Sequence, residues 1–270
     1  MTNSADIYFP VGETEKHFVI SIWRLCEFNI HERTETILPK GTVEIIFNLS
    51  EDIIYSNDTL EVKKILPSCF INGINFKPFK LLKKGQLVFL GIQLNALGLK
   101  ILFNISSKEF NNNVVEGSEI CQSLNSLSNQ LFTKKTFKEQ VETIMNWIYR
   151  RISVSNSIKS LHQIHHLFYS QKLKDLTVSK LCHEVHFSDR QLRRLSTEWL
   201  GMNTETFILY NKYLSALKLL HTSDLSLTQI GLDAGYYDQS HFIREFKSYT
   251  NLTPKEYKAS ISDLPGHIIR

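Results

Sequence analysis

The second half of the chain contains an internal duplication with a spacing of about 50 residues. The segments 176–207 and 225–257 align at an offset of 49, which becomes 50 after one extra residue in the second copy. Self-similarity at a fixed spacing is typical of a supersecondary unit that is used more than once. The matched positions are Leu176/Leu225, Val178/Leu227, Leu181/Ile230, Val185/Ala234, Phe187/Tyr236, Leu192/Phe242, Arg194/Arg244, Gly201/Asn251, Met202/Leu252 and Phe207/Tyr257.

Each copy is predicted to be a helix, a tight turn and a second helix. Gly201 and Asn251 occupy the same place past a helix end, and both residue types tolerate the left-handed conformation that often closes a helix. Pro254 suits the first position of a helix. Two residue pairs of the second copy have the spacing of a capping box, namely Ser226 with Gln229 and Thr253 with Glu256.

The second helix of each copy has an apolar face opposite a basic or polar face. A helix of this kind fits one major groove, where Arg can bind guanine and Gln can bind adenine. The intervening segment 204–222 is predicted to be one helix of 19 residues, which spans about 28 Å at ~1.5 Å per residue. Two helices held at that separation suit successive major grooves of double-stranded DNA, which recur every ~34 Å. The free faces carry Arg190, Arg193, Arg194 and Thr197 in the first copy and Ser240, Ile243, Arg244 and Lys247 in the second.

Residues 158–260 resemble the DNA-binding region of the AraC family of bacterial transcription regulators. The segment GYYDQSHFIREFKSYTNLTPKEY (235–257) is similar to the signature of that family. The resemblance implies two helix-turn-helix units joined by a linker helix. By position, it implies DNA contacts from Arg190, Arg193 and Arg194 in the first unit and from Gln239, Ser240, His241, Ile243 and Arg244 in the second.

Two positions depart from the family pattern. Ser196 stands where the family commonly has Phe, and it aligns with Phe246 of the second copy. This difference predicts weaker packing of the first unit. Gly231 replaces a usual Ala inside a helix, which costs about 1 kcal/mol if the site is exposed.

The first hundred residues are predicted to form a small antiparallel sandwich or barrel. Short segments rich in β-branched and aromatic residues are separated by turn-forming residues. Residues 8–10, 37–49 and 88–106 are similar to the β-rich, cupin-like domain that precedes some AraC-type regions. The candidate strands are 17–25, 42–49, 52–56, 68–74 and 86–94.

The pattern becomes helical at residues 137–152, and the polar stretch 153–157 is the predicted boundary before the DNA-binding region. The fold class is therefore α+β and multidomain. We expect a β-rich sensor or dimerisation domain at 1–118 and a helical connector at 119–155. An all-α DNA-binding domain at 156–262 and a tail at 263–270 complete the chain.

Composition and charge add little to this reading. The net charge of +4 is too small to indicate nucleic acid by itself. The four cysteines lie far apart, which argues against a zinc ribbon or a disulfide scaffold. The N-terminus does not look like a signal peptide, and we found no apolar run long enough to cross a membrane, so a cytoplasmic location is expected.

We expect neither a metal nor another cofactor. The β-rich half offers only His17 and His31 with scattered carboxylates such as Glu44, and the trio His162, His165 and His166 has no acidic or thiol neighbours in sequence. No nucleophile elbow, P-loop or dinucleotide-binding motif occurs, so catalysis is not expected. Aromatic residues of the β-rich half are predicted to form either its core or a ligand pocket, with core favoured: Phe18, Trp23, Phe47, Phe70, Phe76 and Phe89.

The sequence thus predicts a sequence-specific DNA-binding transcription regulator. The β-rich domain is expected to bind a small-molecule effector, to form a homodimer, or both, and an activator would also contact RNA polymerase. Two alternatives remain at this point. The β-rich domain could be an enzyme or a protein-interaction module that the C-terminal domain tethers to DNA.

Overall fold

The computed structural model describes residues 3–50, 52–57, 62–170, 176–262 and 266–269. In this part of the chain, one nine-stranded sheet is followed by a helical half. The strands are β1 (Ser4–Tyr8), β2 (Val19–Ile37), β3 (Val43–Asn48), β4 (Ile54–Asn57), β5 (Val62–Ile65), β6 (Cys69–Asn72), β7 (Phe79–Leu94), β8 (Val114–Glu116) and β9 (His267–Ile269).

Eleven α-helices lie within the described residues. None of them is both long and apolar enough to cross a membrane. The helices are α1 (Leu97–Phe103), α2 (Gly117–Ile120), α3 (Gln122–Thr133), α4 (Phe137–Ser153), α5 (Ile158–Tyr169), α6 (Val178–Val185), α7 (Asp189–Leu200), α8 (Thr204–Thr222), α9 (Leu227–Asp233), α10 (Gln239–Thr250) and α11 (Pro254–Lys258).

The long strands β2 and β7 pair antiparallel and organise the sheet. The start of β2 carries β1, and the end of β7 carries β3, with β6 and β8 beyond it. The end of β2 carries β9, and the start of β7 carries the β4–β5 hairpin. The pairing shifts register twice between Glu27 and Arg33 of β2. Such bulges bend a strand and increase its twist. Residues from both ends of the sheet then meet in one apolar cluster, so the bent sheet encloses its own core.

Gly91 of β7 leaves the space in this core that the ring of Trp23 occupies. Gly91 is the pairing partner of Trp23, and a Cβ atom at position 91 would come within 2.2 Å of the indole ring. A larger residue at this position would therefore displace the ring.

The strand predictions located the right segments but underestimated two of them. The predicted strand 17–25 extends to Ile37 as β2, and the predicted strand 86–94 begins at Phe79 as β7. The added residues are largely polar or only half-buried, so the local pattern does not mark them. Their structure comes from pairing with each other across the sheet.

The helical predictions agree closely with the structure. The predicted helix 137–152 is observed as α4, and the predicted linker helix 204–222 is α8. Residues 263–270 were predicted to be a tail, but His267–Ile269 form β9 on the edge of the sheet. Residues 263–265 and 270 of that tail lie outside the described part of the chain.

The β-rich half and the helical half are in direct contact. The buried Tyr210 of α8 accepts a hydrogen bond from the Gly41 amide and donates one to the Asn75 carbonyl, at 3.0 and 2.7 Å. The hydroxyl of Tyr213, one turn further along α8, donates to the Pro39 carbonyl at 3.0 Å. Burial raises the pKa of both hydroxyls, so they stay protonated.

Gly201 forms a second contact between the halves. Its φ of +72° closes α7, and a Cβ atom there would come within 2.3 Å of the Lys108 backbone nitrogen. The Gly201 carbonyl accepts a hydrogen bond from the Asn111 side chain at 3.0 Å. Glycine is therefore needed both for the left-handed turn and for the close approach of the two backbones.

A buried charged network holds β9 to the sheet. The carboxylate of Glu35 forms an ion pair with Lys83 and lies 2.5 Å from Nδ1 of His267. Burial opposes ionisation of Glu35, but the hydrogen bond with His267 and the charge of Lys83 outweigh it and lower the Glu35 pKa to about 2. Because Lys40 can only donate its hydrogen bond to Nε2 of His267, at 3.2 Å, the ring is neutral and Nδ1 carries the proton. Burial and the charge of Lys40 lower the pKa of His267, in agreement with this assignment.

We expect this network to make stability depend on acid pH. The unfolded chain binds a proton on Glu35 near pH 4.5, whereas the folded chain resists protonation until about pH 2. The stabilisation is complete above pH 4.5 and is lost as the pH falls toward 2, with a total on the order of 3 kcal/mol. Glu35→Gln should lower the free energy of unfolding at pH 7, and its difference from the unmodified chain should shrink between pH 5 and pH 3.

Urea unfolding followed by tryptophan fluorescence measures these free energies. The matched control is Glu32→Gln, which changes an exposed carboxylate on the same strand. A Glu35→Gln difference that stayed constant across this pH range would contradict the assignment.

Candidate nucleic-acid interface

The first copy of the duplication is a helix-turn-helix unit made of α6 and α7. Helix α6 is closed by the residue after its end, His186, which has a left-handed φ of +55°. Helix α7 begins with a full capping box, in which Ser188 accepts from the Gln191 amide and the Gln191 side chain accepts from the Ser188 amide. This box was not among the sequence predictions, although its Ser-x-x-Gln spacing was readable.

The second copy is built in the same way from α9 and α10. Asp238 caps α10 through the His241 amide at 2.7 Å, and Asn251 closes the helix with a φ of +61°, as predicted. The predicted box at Thr253 and Glu256 is fully formed, with Pro254 at the start of α11.

The predicted box at Ser226 is only half-formed. Ser226 accepts from the Gln229 amide, but the Gln229 side chain donates to Asp233 at 2.8 Å instead of returning to the cap. An alternative partner one turn along the helix therefore takes the Gln229 amide group away from the cap.

The structure exposes most of the side chains that the sequence predicts for DNA contact. Helices α7 and α10 bury their apolar faces, including Leu192, Trp199, Phe242 and Phe246. His241 and Ile243 are half-buried, and the His241 ring packs edge-on against Tyr236 at 5.3 Å. The remaining predicted residues are exposed to solvent: Arg190, Arg193, Arg194, Gln239, Ser240, Arg244 and Lys247.

The exposed cations differ in how they are held. Arg193 pairs with Asp189 of the same helix at 3.0 Å, so its charge is partly compensated. Arg244 lies 3.9 Å from Glu245 and its side chain is 75% exposed. Arg244 is thus the more available of the two ion-paired arginines.

Gln239 accepts a hydrogen bond from Thr228 of α9 at 3.0 Å, which fixes its side chain at the start of α10.

Tyr237 is a candidate contact that the sequence predictions missed. It lies in the turn before α10 and is 89% exposed, far more than other aromatic residues of the helical half. The sequence signal for Tyr237 was that it directly follows Tyr236. Tyr236 is the residue that aligns with the core position Phe187 of the first copy.

A partly open cavity of about 390 Å³ lies in the β-rich half. Its lining is mainly apolar and aromatic and includes Trp23, Tyr55, Phe70, Phe79 and Phe89. Lys40, Glu44, Lys83 and His267 also line it and supply charged and polar groups. Of the six aromatic residues singled out from the sequence, Trp23, Phe70 and Phe89 thus line a pocket, whereas Phe18 and Phe47 are fully buried in the main core and Phe76 packs on Tyr210.

The histidines of the sequence analysis do come together in part. The His17 ring lies 5.2 Å from that of His162 and 4.6 Å from that of His165. Among the residues that the structure describes, no group of three or more His, Cys, Asp or Glu side chains is arranged to hold a metal ion.

Comparison with known proteins identifies the type of domain in the helical half. A family profile described as "Helix-turn-helix domain" matches residues 181–260, and one described as "Domain of unknown function (DUF6597)" matches residues 16–116. Residues 181–260 are a helix-turn-helix domain of the AraC type.

Curated relatives carry related names. An "Uncharacterized HTH-type transcriptional regulator YtdP" of Bacillus subtilis (strain 168) is 23% identical over 92% of this chain and 35% of the relative. An "Uncharacterized HTH-type transcriptional regulator" of Haemophilus influenzae is 30% identical over 34% of this chain and 31% of the relative. The chain thus spans about a third of the length of these two relatives. Among solved structures, ToxT from Vibrio cholerae O395 matches 97% of this chain and 99% of its own at 14% identity and a TM-score of 0.49.

The two departures from the family pattern have a structural explanation in the AraC-type domain. Ser196 is fully buried, and its hydroxyl lies 3.0 Å from that of Thr204 and 3.1 Å from the Arg193 carbonyl. A small polar pair thus occupies the space that a phenyl ring would need. Gly231 is also buried, with its Cβ position 3.1 Å from the Phe242 ring, so the cost calculated for an exposed glycine does not apply.

Restoring the family residue at position 196 should therefore destabilise the AraC-type domain. A phenylalanine there overpacks a filled site and leaves the buried Thr204 hydroxyl without this partner, which should cost about 1–3 kcal/mol. Urea unfolding of Ser196→Phe measures the cost, and Thr197→Phe, one residue along on the exposed face, is the control. Unchanged or increased stability of Ser196→Phe would show that the site has unfilled space.

Proposed function

We propose that this chain is a sequence-specific DNA-binding transcription regulator whose recognition helices are α7 and α10. The observation that carries the proposal is the repeated unit itself. Two capped helix-turn-helix units, joined by the single helix α8, each bury an apolar face and expose a polar or basic one. A helix with an exposed basic face is the element that enters a major groove.

The exposed side chains divide the task of binding. Arg194 and Arg244 occupy equivalent positions of the two helices and are assigned to base edges, where arginine binds guanine through O6 and N7. The other exposed cations, Arg190, Arg193 and Lys247, are assigned mainly to phosphates, which supply affinity and its salt dependence. Gln239 and Ser240 lie at the start of α10, and Ile243 is suited to a thymine methyl group.

Removing either equivalent arginine should weaken recognition at one base position. Arg194→Ala and Arg244→Ala should each cost about 1–3 kcal/mol on the preferred site, with a smaller loss on random DNA. Fluorescence anisotropy against a site recovered from a random pool measures both affinities. Arg150→Ala, an exposed arginine of α4, is the control and should bind like the unmodified protein.

An equal loss on specific and random DNA would instead assign the arginine to phosphate. No loss for either variant would contradict the proposed recognition faces.

We further propose that the cavity of the β-rich half binds a small effector. Its volume of about 390 Å³ lies in the range of ligand sites, and its lining combines a large apolar surface with a few polar groups. These properties suit a mainly apolar molecule with one polar or charged group. The proposal includes a homodimer, and contact with RNA polymerase if the regulator activates; it assigns no enzymatic step.

A dye that fluoresces in apolar surroundings should detect this site. We expect 8-anilinonaphthalene-1-sulfonate to bind the folded protein with increased fluorescence, and Leu81→Trp, which fills part of the cavity, to weaken binding at least fivefold. Ile65→Trp, at an exposed position of the same half, is the control. Equal binding by the unmodified protein and both variants would place the dye outside the cavity and remove support for the effector site.

A further inference from the structure

The end of the chain returns from the DNA-binding half to the sheet that encloses the cavity. After α11, β9 pairs antiparallel with the end of β2, with Glu35, Thr36 and Ile37 opposite Ile269, Ile268 and His267. The Leu38 amide donates to the Gly266 carbonyl at 2.8 Å. A segment that follows the second helix-turn-helix unit is thus part of the β-rich half.

The side chain of His267 forms part of the cavity wall. Its ring lies between Glu35, 2.5 Å from Nδ1, and Lys40, 3.2 Å from Nε2. Lys40 and Lys83 also line the cavity, while Glu35 and Lys83 are only 1% and 4% exposed. A molecule that reaches this end of the cavity therefore contacts a residue of β9 directly.

The residue directly before His267 is bonded to the helical core. The Gly266 amide donates to the hydroxyl of Tyr257 at 3.1 Å. The Tyr257 side chain is fully buried, its ring lies 5.7 Å from that of Phe246 in α10, and its hydroxyl is hydrogen-bonded to His221 of α8. From the cavity wall, Gly266 thus leads to Tyr257, and Tyr257 contacts both a recognition helix and the linker helix.

We propose that β9 transmits occupancy of the cavity to the second helix-turn-helix unit. A molecule that rearranges His267 and its partners shifts β9 against β2, and Gly266 and Tyr257 pass this shift to α10 and α8. The orientation of α10 relative to α7 then changes, and with it the affinity for a two-part DNA site. This inference rests on the proposed function, because it takes the cavity as an effector site and α10 as a recognition helix.

A reversible covalent lock on β9 tests the inference in the full chain. Thr36 and Ile268 are direct partners of an antiparallel pair, whose Cα separation of about 4.5–5.5 Å is compatible with a disulfide. The double variant Thr36→Cys/Ile268→Cys can be studied oxidised and reduced, so the reduced form is its own control. Peptide mass spectrometry distinguishes the new bond from pairs that involve the native cysteines.

The matched control places a disulfide in the same sheet without joining the two halves. Ser4→Cys lies opposite the native Cys26 in the β1–β2 pair, and neither residue belongs to the C-terminal strand. The readout is the dissociation constant for DNA, with and without saturating 8-anilinonaphthalene-1-sulfonate as the cavity probe.

We expect the probe to change the DNA affinity of the reduced double variant at least fivefold and that of the oxidised variant less than twofold. The Ser4→Cys control should respond in both states. An equal response of the locked and unlocked double variant, or no response in any form, would overturn the role of β9. In both of these cases, specific DNA binding without the probe would leave the proposed function intact.

A second pair of variants avoids the disulfide. His267→Ala should remove the response to the probe, whereas Ile269→Ala, at a half-exposed position of the same strand outside the cavity lining, should keep it. A full response by His267→Ala, with unchanged probe binding, would also overturn the inference.

Discussion

Helix α8 is buried along most of its length, and the rest of the structure depends on what packs against it. Its buried residues face several directions instead of forming a single stripe, as expected of a helix that is covered on more than one side. Both helix-turn-helix units contact it, and Tyr210 and Tyr213 join it to the β-rich half by buried hydrogen bonds. The mutual position of the two proposed recognition helices therefore depends on one helix that the β-rich half also contacts.

This arrangement connects the proposed effector site with the proposed recognition helices by physical contacts. The first unit meets the β-rich half where Gly201 packs on Lys108, and the second meets it through β9 and through Lys77, which donates to the Ser248 carbonyl at 2.6 Å. Each unit thus has its own contact with the half that encloses the cavity. A change that affects one contact more than the other would alter the angle between the units. The affinity for a two-part DNA site depends on that angle.

The helical half was readable from the sequence because its signals are local. Capping residues, left-handed helix ends and the repeated apolar pattern all lie within a few residues of the structure that they specify, and the duplication supplied an independent check. The candidate recognition residues followed from the same pattern, and the structure exposes most of them. The partner of Ser196 could not be predicted, since Thr204 lies on the next helix and becomes a neighbour only after the turn at Gly201.

The β-rich half was less predictable because its structure depends on distant partners. The polar second part of β2 is a strand because β7 and β9 pair with it, and β9 lies more than 200 residues away in sequence. For the same reason, the sequence could not decide whether Trp23, Phe70 and Phe89 fill a core or line a cavity. That outcome depends on how the bent sheet closes and on how much space Gly91 and its neighbours leave.

Selection of binding sites from a random DNA pool by the 270-residue chain, at ~0.15 M salt, tests the central claim most directly. Two recognition helices joined by one linker helix should enrich a site with two short conserved blocks whose centres are about one helical turn, or ~34 Å, apart. Both blocks should also be enriched from a second pool in which the length of the random sequence between them is varied. Enrichment of one block alone, or equal binding of all sequences, would contradict the account of α7 and α10 as a pair of recognition helices.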